Sequence, residues 1–204
     1  ELSEGYRALK EQGFTAAKIF VNGPVKTRND GRDEFFSGRI EEELEKVRVC
    51  REAVGSDFDF VLEAHRGMNV PEAITFGNEV AKYRPMVFED PITPDNPDAM
   101  AEVAAKVPVP IATGERFINL KEFETVYGNG MGASISDRMC VLLAGLQPAK
   151  RFVHWRRLMM YLSFLIIRLG RYQRLRVCSF VLQFQILGIQ ELPGFCLNGA
   201  EDAW

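Results

Sequence analysis

The chain has 204 residues, 47% of them hydrophobic and 26% charged, with a net charge of −3. It is therefore globular and long enough to bury a sizeable core, most simply as one domain, but short for a complete eight-unit barrel. The four cysteines, Cys50, Cys140, Cys178 and Cys196, show no C-x-x-C spacing and no pairing pattern, so a reducing cytoplasm with four free thiols is expected rather than secretion. The longest apolar run, 158–167, is too short to span a bilayer, and no apolar signal region opens the chain, so a soluble protein is expected.

Residues 1–13 read as a helix, with Leu2, Tyr6 and Leu9 on one face and Gly13 as its stop. A strand follows at 14–21. The stretch 22–38, rich in Gly, Asn, Asp and Arg, is long for a connection and has the composition of a loop that contacts substrate. Ile40, Leu44, Val47 and Val54 then repeat with helical period, 58–62 is the next strand and 71–83 the next helix. Segments 86–88, 97–107 and 109–113 continue the alternation. Strand and helix thus alternate for over a hundred residues, which predicts an α/β protein with a parallel sheet, most simply a (β/α) barrel.

Three apolar runs end in acid: Glu63 in F-V-L-E-A-H, Glu89 in M-V-F-E-D-P and Glu115 in P-I-A-T-G-E-R, at a constant interval of 26 residues. A single strand-end glutamate is ordinarily a solvated residue, because a strand leaving the core must turn polar. The constant interval is the length of a strand plus its return helix, and it predicts three carboxylates at the same end of three neighbouring strands. Converging anions repel unless a cation joins them. Hard oxygen donors without a thiol or imidazole cluster favour Mg²⁺, which keeps open positions for substrate oxygens.

The pattern breaks at residues 131–187, which hold nine Lys or Arg against one acid, Asp137, for a local charge of +8 that leaves −11 for the rest. The arginines show neither helical nor strand period and no RNA-binding signature, so neither nucleic acid nor a membrane surface is expected as a partner.

On either side of that segment the strand ends resemble the enolase superfamily. The motifs are A-K-I-F at Lys18, L-E-A-H-R-G at 62–67, F-E-D-P at 88–91, A-T-G-E-R at 112–116 and I-Q-E at 189–191. They are most similar to the mandelate racemase and muconate lactonizing branch and its acid-sugar (galactonate-type) dehydratases, over roughly 1–130 and 187–195. The resemblance implies a TIM-type barrel, incomplete because the first strand and an N-terminal capping domain are missing. It implies Mg²⁺ on Glu63, Glu89 and Glu115, although the first ligand in the family is more often Asp. Racemases of the family carry K-x-K on the second strand. Here the second lysine is Phe20, which cannot take a proton.

The dehydratases place a histidine two residues after the first ligand, as His65 is placed here, where it acts as a general acid expelling hydroxide. An imidazole can protonate a leaving hydroxyl near neutrality, while the metal stabilises the enediolate formed after α-proton abstraction. Lys18 and Arg116 are candidates for binding the substrate carboxylate or neutralising the acids, and each is equally a candidate structural ion pair. Glu191 is a catalytic candidate that contacts substrate from the last strand, or else caps the C-terminal loop. Asp90 and Asp30 read as structural or loop residues.

The family's base, a histidine in a P-H-N-P-like segment, and its R-P-D partner are missing, and His154 in V-H-W-R-R matches neither. Written in permissible codons and read from the third base, 135–140 spells R-P-D-V-C and 163–176 spells I-P-H-N-P-L-G-P-V-S-T-A. Residues 131–187 thus read as an out-of-frame translation between two compensating indels within one partial barrel domain, 1–204. The Asp codon would straddle Arg138 and Met139 and the His codon Leu165 and Ile166. Strands six and seven would then lack designed amphipathicity, which favours exposed edges and aggregation.

The function expected is Mg²⁺-dependent dehydration of a sugar acid. A racemase or epimerase of the same branch and a catalytically inactive metal-binding remnant are the alternatives. The expected partner is the small-molecule substrate, and the resemblance leaves a homo-oligomer open.

Overall fold

The computed structural model describes residues 2–21, 35–114, 116, 117, 121, 122, 125 and the strand segments 139–141, 163–165 and 187–190. The chain forms two compact units, Glu1–Ala112 and Thr113–Trp204. In the first, helices α1 (Leu2–Glu11), α2 (Phe36–Val54), α3 (Val70–Val80) and α4 (Pro97–Lys106) alternate with strands β1 (Ala16–Phe20), β2 (Asp59–Glu63), β3 (Val87–Glu89) and β4 (Ile111–Thr113). A short 3₁₀ turn, Ala81–Tyr83, extends α3. The strands lie in the order β1-β2-β3-β4 and pair in parallel, giving an α/β fold in which each crossover helix returns the chain to the end at which the strands begin.

The helix ends follow local chemistry. Asn69 accepts from the Glu72 amide while the Glu72 side chain accepts from the Asn69 amide, a capping box that starts α3. Asn96 caps α4 by accepting from the amides of Asp98 and Ala99, with Pro97 in the first turn. Helix α2 begins earlier than the composition of 22–38 suggests. Its N-cap is Phe35, without a side-chain cap, and Gly38 lies inside the helix. The buried face of Ile40, Leu44, Val47, Cys50 and Val54 outweighs the weak helix propensity of that glycine.

The core lies between helices and sheet. Phe58, Phe60, Leu62, Phe76, Phe88, Met100 and Ile111 are fully buried, each contributing about 2–3 kcal/mol by removal from water. Helices α3 and α4 approach closely over Gly77, where an added Cβ would lie 2.6 Å from Val107 Cγ1. At the amino-terminal edge of the strands, Arg51 donates to the carbonyls of Gly55, Phe58, Tyr83 and Arg84, and its guanidinium sits 4.4 Å over the Phe60 ring. Cys50 is a free buried thiol, pushed up to about 12 by burial.

In the second unit, β5 (Met139–Val141), β6 (Ser163–Leu165) and β7 (Leu187–Gln190) are short strands, and β6 pairs with β7 in parallel. Most of the out-of-frame segment expected at 131–187 lies outside the described residues, as do Asp30 and His154. Among the described residues, no helix is long and apolar enough to cross a membrane.

Candidate active site

Parallel pairing sets Phe20 opposite Glu63, Glu63 opposite Glu89, and Glu89 opposite Ala112. The 26-residue interval therefore does bring Glu63 and Glu89 to the same level on adjacent strands. On β4 that level is taken by Ala112. Glu115 follows three residues later in the chain and, like Glu191, lies outside the described residues.

Strand β1 explains how a lysine reaches both acids. Ile19 and Val21 are buried, so the alternate positions Lys18 and Phe20 belong to the other face. Lys18 Nζ donates to Glu63 Oε2 at 2.9 Å and to Glu89 Oε1 at 2.8 Å. Tyr6 on α1 fixes the strand there, donating its hydroxyl to the Lys18 carbonyl at 2.6 Å. Phe20, two residues beyond, is 65% exposed at the strand exit.

One ammonium lies between two carboxyl groups that are 3% and 1% exposed, so it can balance only one of them if both ionise. Burial pushes the Glu89 carboxyl well above the ordinary carboxylate range; the Lys18 charge opposes the shift and the Glu63 charge adds to it. Glu89 Oε2 is buried without a hydrogen-bond partner. An orphaned carboxylate oxygen beside a second carboxylate is what an oxygen-seeking cation would satisfy, so these two side chains fit Mg²⁺. Among the described residues, no group of three or more His, Cys, Asp or Glu side chains could hold a metal ion.

His65 lies on the turn after β2. Its backbone amide donates to Glu63 Oε1 at 2.8 Å, and its Nδ1 is 4.0 Å from the same oxygen. The ring is 59% exposed. Its neighbours supply two features that sequence reading missed. Arg66 Nη1 donates to Asp90 Oδ2 at 2.9 Å, a buried ion pair joining the exits of β2 and β3, and Arg66 Nη2 is 2.9 Å from His65 Nε2. Asp90 reads as structural, as its loop position suggested, and its carboxylate holds Arg66 beside His65. The adjacency of H-R-G and E-D-P at neighbouring strand exits was the available signal.

His65, Arg66 and Asp90 have φ of 48°, 67° and 41°. Non-glycine residues in the left-handed region cost about 1–3 kcal/mol each unless their surroundings hold them. Four backbone bonds do so here. The amide of Arg66 donates to the Asp90 carbonyl, that of Met68 to Pro91, that of Gly67 to Ala64 and that of Ala64 to Glu89. The Arg39 guanidinium adds a clamp from α2, donating to the Gly67 carbonyl and to Glu72 Oε1.

In the second unit, Arg116 is exposed in a turn closed by the Phe117 amide donating to the Gly114 carbonyl at 3.0 Å. Gly114 has φ of 119°, a conformation that explains glycine in A-T-G-E-R.

Over residues 1–154 the sequence matches the family described as enolase C-terminal domain-like. D-galactarolactone cycloisomerase of Agrobacterium fabrum (strain C58 / ATCC 33970) is 41% identical over 76 residues, 37% of this chain and 20% of that protein. D-galactonate dehydratase of Cronobacter sakazakii (strain ATCC BAA-894) is 28% identical over 130 residues, 64% of this chain and 32% of that protein. The chain thus spans about a third or less of these curated relatives. The fold is similar to the crystal structure of a mandelate racemase/muconate lactonizing enzyme-like protein from Rubrobacter xylanophilus DSM 9941. The TM-score is 0.80 at 22% identity, covering 93% of this chain and 48% of that one.

Proposed function

The chain belongs to the enolase C-terminal domain-like family, and on that premise we propose that it is part of a (β/α) barrel enzyme that dehydrates a sugar-derived acid with Mg²⁺. The observation that carries this reading is the side-by-side placement of Glu63 and Glu89 at the exits of adjacent parallel strands, bridged by Lys18, with Glu89 Oε2 unpartnered. Four adjacent parallel strands, each regained through a helix, support the barrel.

Glu63, Glu89 and Glu115 would hold the cation. Bound there, Mg²⁺ would supply positive charge for the substrate carboxylate and for the charge it gains when the α-proton passes to a base, the role that the missing P-H-N-P-like motif fills in the family. Lys18 offsets the charge of the two acids and keeps them facing one another. His65 offers a proton to the departing hydroxyl as the carbon–oxygen bond breaks and its electron pair leaves with the oxygen. Arg116 and Glu191 are assigned to contacts with the substrate. Phe20 supplies no second base on its face, which favours dehydration over racemisation. The substrate is a small-molecule aldonate, with neither nucleic acid nor membrane as a partner.

The 41% identity to a cycloisomerase favours lactone isomerisation as the second reading. A metal-binding remnant without turnover is the third, because the family's base motif is missing from the sequence. Calorimetric titration of Mg²⁺ into the chain and into Glu89→Gln tests the site, and equal affinities would remove it. Incubation with D-galactonate or D-galactarolactone, with product analysis, separates the two activities from each other and from a remnant without turnover.

A further inference from the structure

We propose that Arg66 is the positioning residue for His65, holding its imidazole so that Nδ1, and not Nε2, is the nitrogen turned toward the acids and offered to the substrate. The inference deepens the dehydratase reading and takes its substrate from it. Its physical basis is independent of that reading.

A guanidinium has only donors. At 2.9 Å from Arg66 Nη2, His65 Nε2 must therefore accept, and the ring proton of the neutral imidazole must sit on Nδ1. Nδ1 is the ring nitrogen 4.0 Å from Glu63 Oε1. The ring itself is more than half exposed, so packing does little to orient it. Arg66, by contrast, is firmly placed. Its side chain is 13% exposed, its second terminal nitrogen pairs with Asp90, which is 1% exposed, and its backbone amide donates to the Asp90 carbonyl at 2.7 Å. His65 and Arg66 both have left-handed φ at the exit of β2. Outer partners that fix the tautomer and direction of a working imidazole are worth about 10–100-fold in function elsewhere.

The test is long-range ¹⁵N–¹H correlation spectroscopy of the full chain with ¹⁵N-labelled histidine. Only two histidines, His65 and His154, contribute, and His154→Gln assigns them. The neutral His65 ring is expected as the Nδ1–H tautomer in the unsubstituted chain. Arg66→Met is expected to return it toward the Nε2–H tautomer that a free imidazole prefers, and Arg66→Lys to restore part of the Nδ1–H population. An Nε2–H tautomer in the unsubstituted chain overturns the proposal, and that measurement stands even if Arg66→Met fails to fold. So does an unchanged tautomer in folded Arg66→Met.

With D-galactonate and Mg²⁺, Arg66→Met should lower kcat about 10–100-fold with little change in KM. Loss of turnover with an unmoved tautomer would overturn the positioning role while leaving the dehydratase reading intact. The Nδ1–H tautomer in a chain that leaves D-galactonate unchanged would support the positioning and count against the dehydratase reading alone.

Discussion

Replacing Glu89 by glutamine should flatten the dependence of folding stability on pH. Glu89 is 1% exposed, and burial lifts its carboxyl from 4.5 to about 9, with Lys18 opposing and Glu63 adding to the shift. An acid whose folded pKa lies above its unfolded value binds its proton more tightly in the folded chain. Its contribution is complete below the unfolded value and is lost as pH rises through the window between the two. One proton carries about 1.4 kcal/mol per pH unit. From about pH 6 to pH 8, the unsubstituted chain should therefore lose on the order of 2–3 kcal/mol relative to Glu89→Gln, whose side chain does not titrate. The Cys50 thiol, ordinarily near 9.0, is raised by burial to about 12 in the folded chain, so it begins to act only above that range. Urea unfolding followed by circular dichroism at several pH values gives the two slopes. Parallel lines for the two proteins would refute the claim that burial keeps a proton on Glu89.

Lys18→Met removes the ammonium between two buried carboxylates and should destabilise the fold by about 3–5 kcal/mol, read by urea unfolding. Added Mg²⁺ should stabilise this variant more than the unsubstituted chain, and an equal effect would separate Lys18 from the cation site. Gly77→Ala should lower the melting temperature through a loss of about 1–3 kcal/mol, because its methyl meets Val107, and Val107→Ala should recover part of that loss. Asn69→Ala should cost about 1 kcal/mol, whereas Asn69→Gly should cost a few tenths of that unit, since the glycine backbone suits a cap.

The alternation of strand and helix was legible because each element carries its own signal. The period of Ile40, Leu44, Val47 and Val54 marks α2, the asparagines before Pro71 and Pro97 mark two helix starts, and short apolar runs mark the strands. The start of α2 was obscured by Gly38, whose loop-forming tendency is local while the burial that overrides it is tertiary. Equal spacing correctly foretold that Glu63 and Glu89 would meet, because parallel pairing converts sequence interval into spatial level. It could not reveal that Lys18 reaches both oxygens, nor that Arg66 pairs with Asp90. Those contacts depend on side-chain direction and on left-handed backbone at non-glycine positions, neither of which leaves a periodic trace. Glu115, Glu191 and the reading frame of 131–187 rest on the sequence alone.

The guanidinium of Arg51 gathers four carbonyl oxygens and covers an aromatic ring at the edge of the sheet opposite the acids. Anchorage and chemistry are thereby assigned to opposite poles of the same strands. Lesions at the first pole should register as precipitation or a lowered melting point, and lesions at the second as a silent but well-formed protein. A library randomised at the exits of β2 and β3 can explore new ligands while the rivet at the far end keeps the staves together.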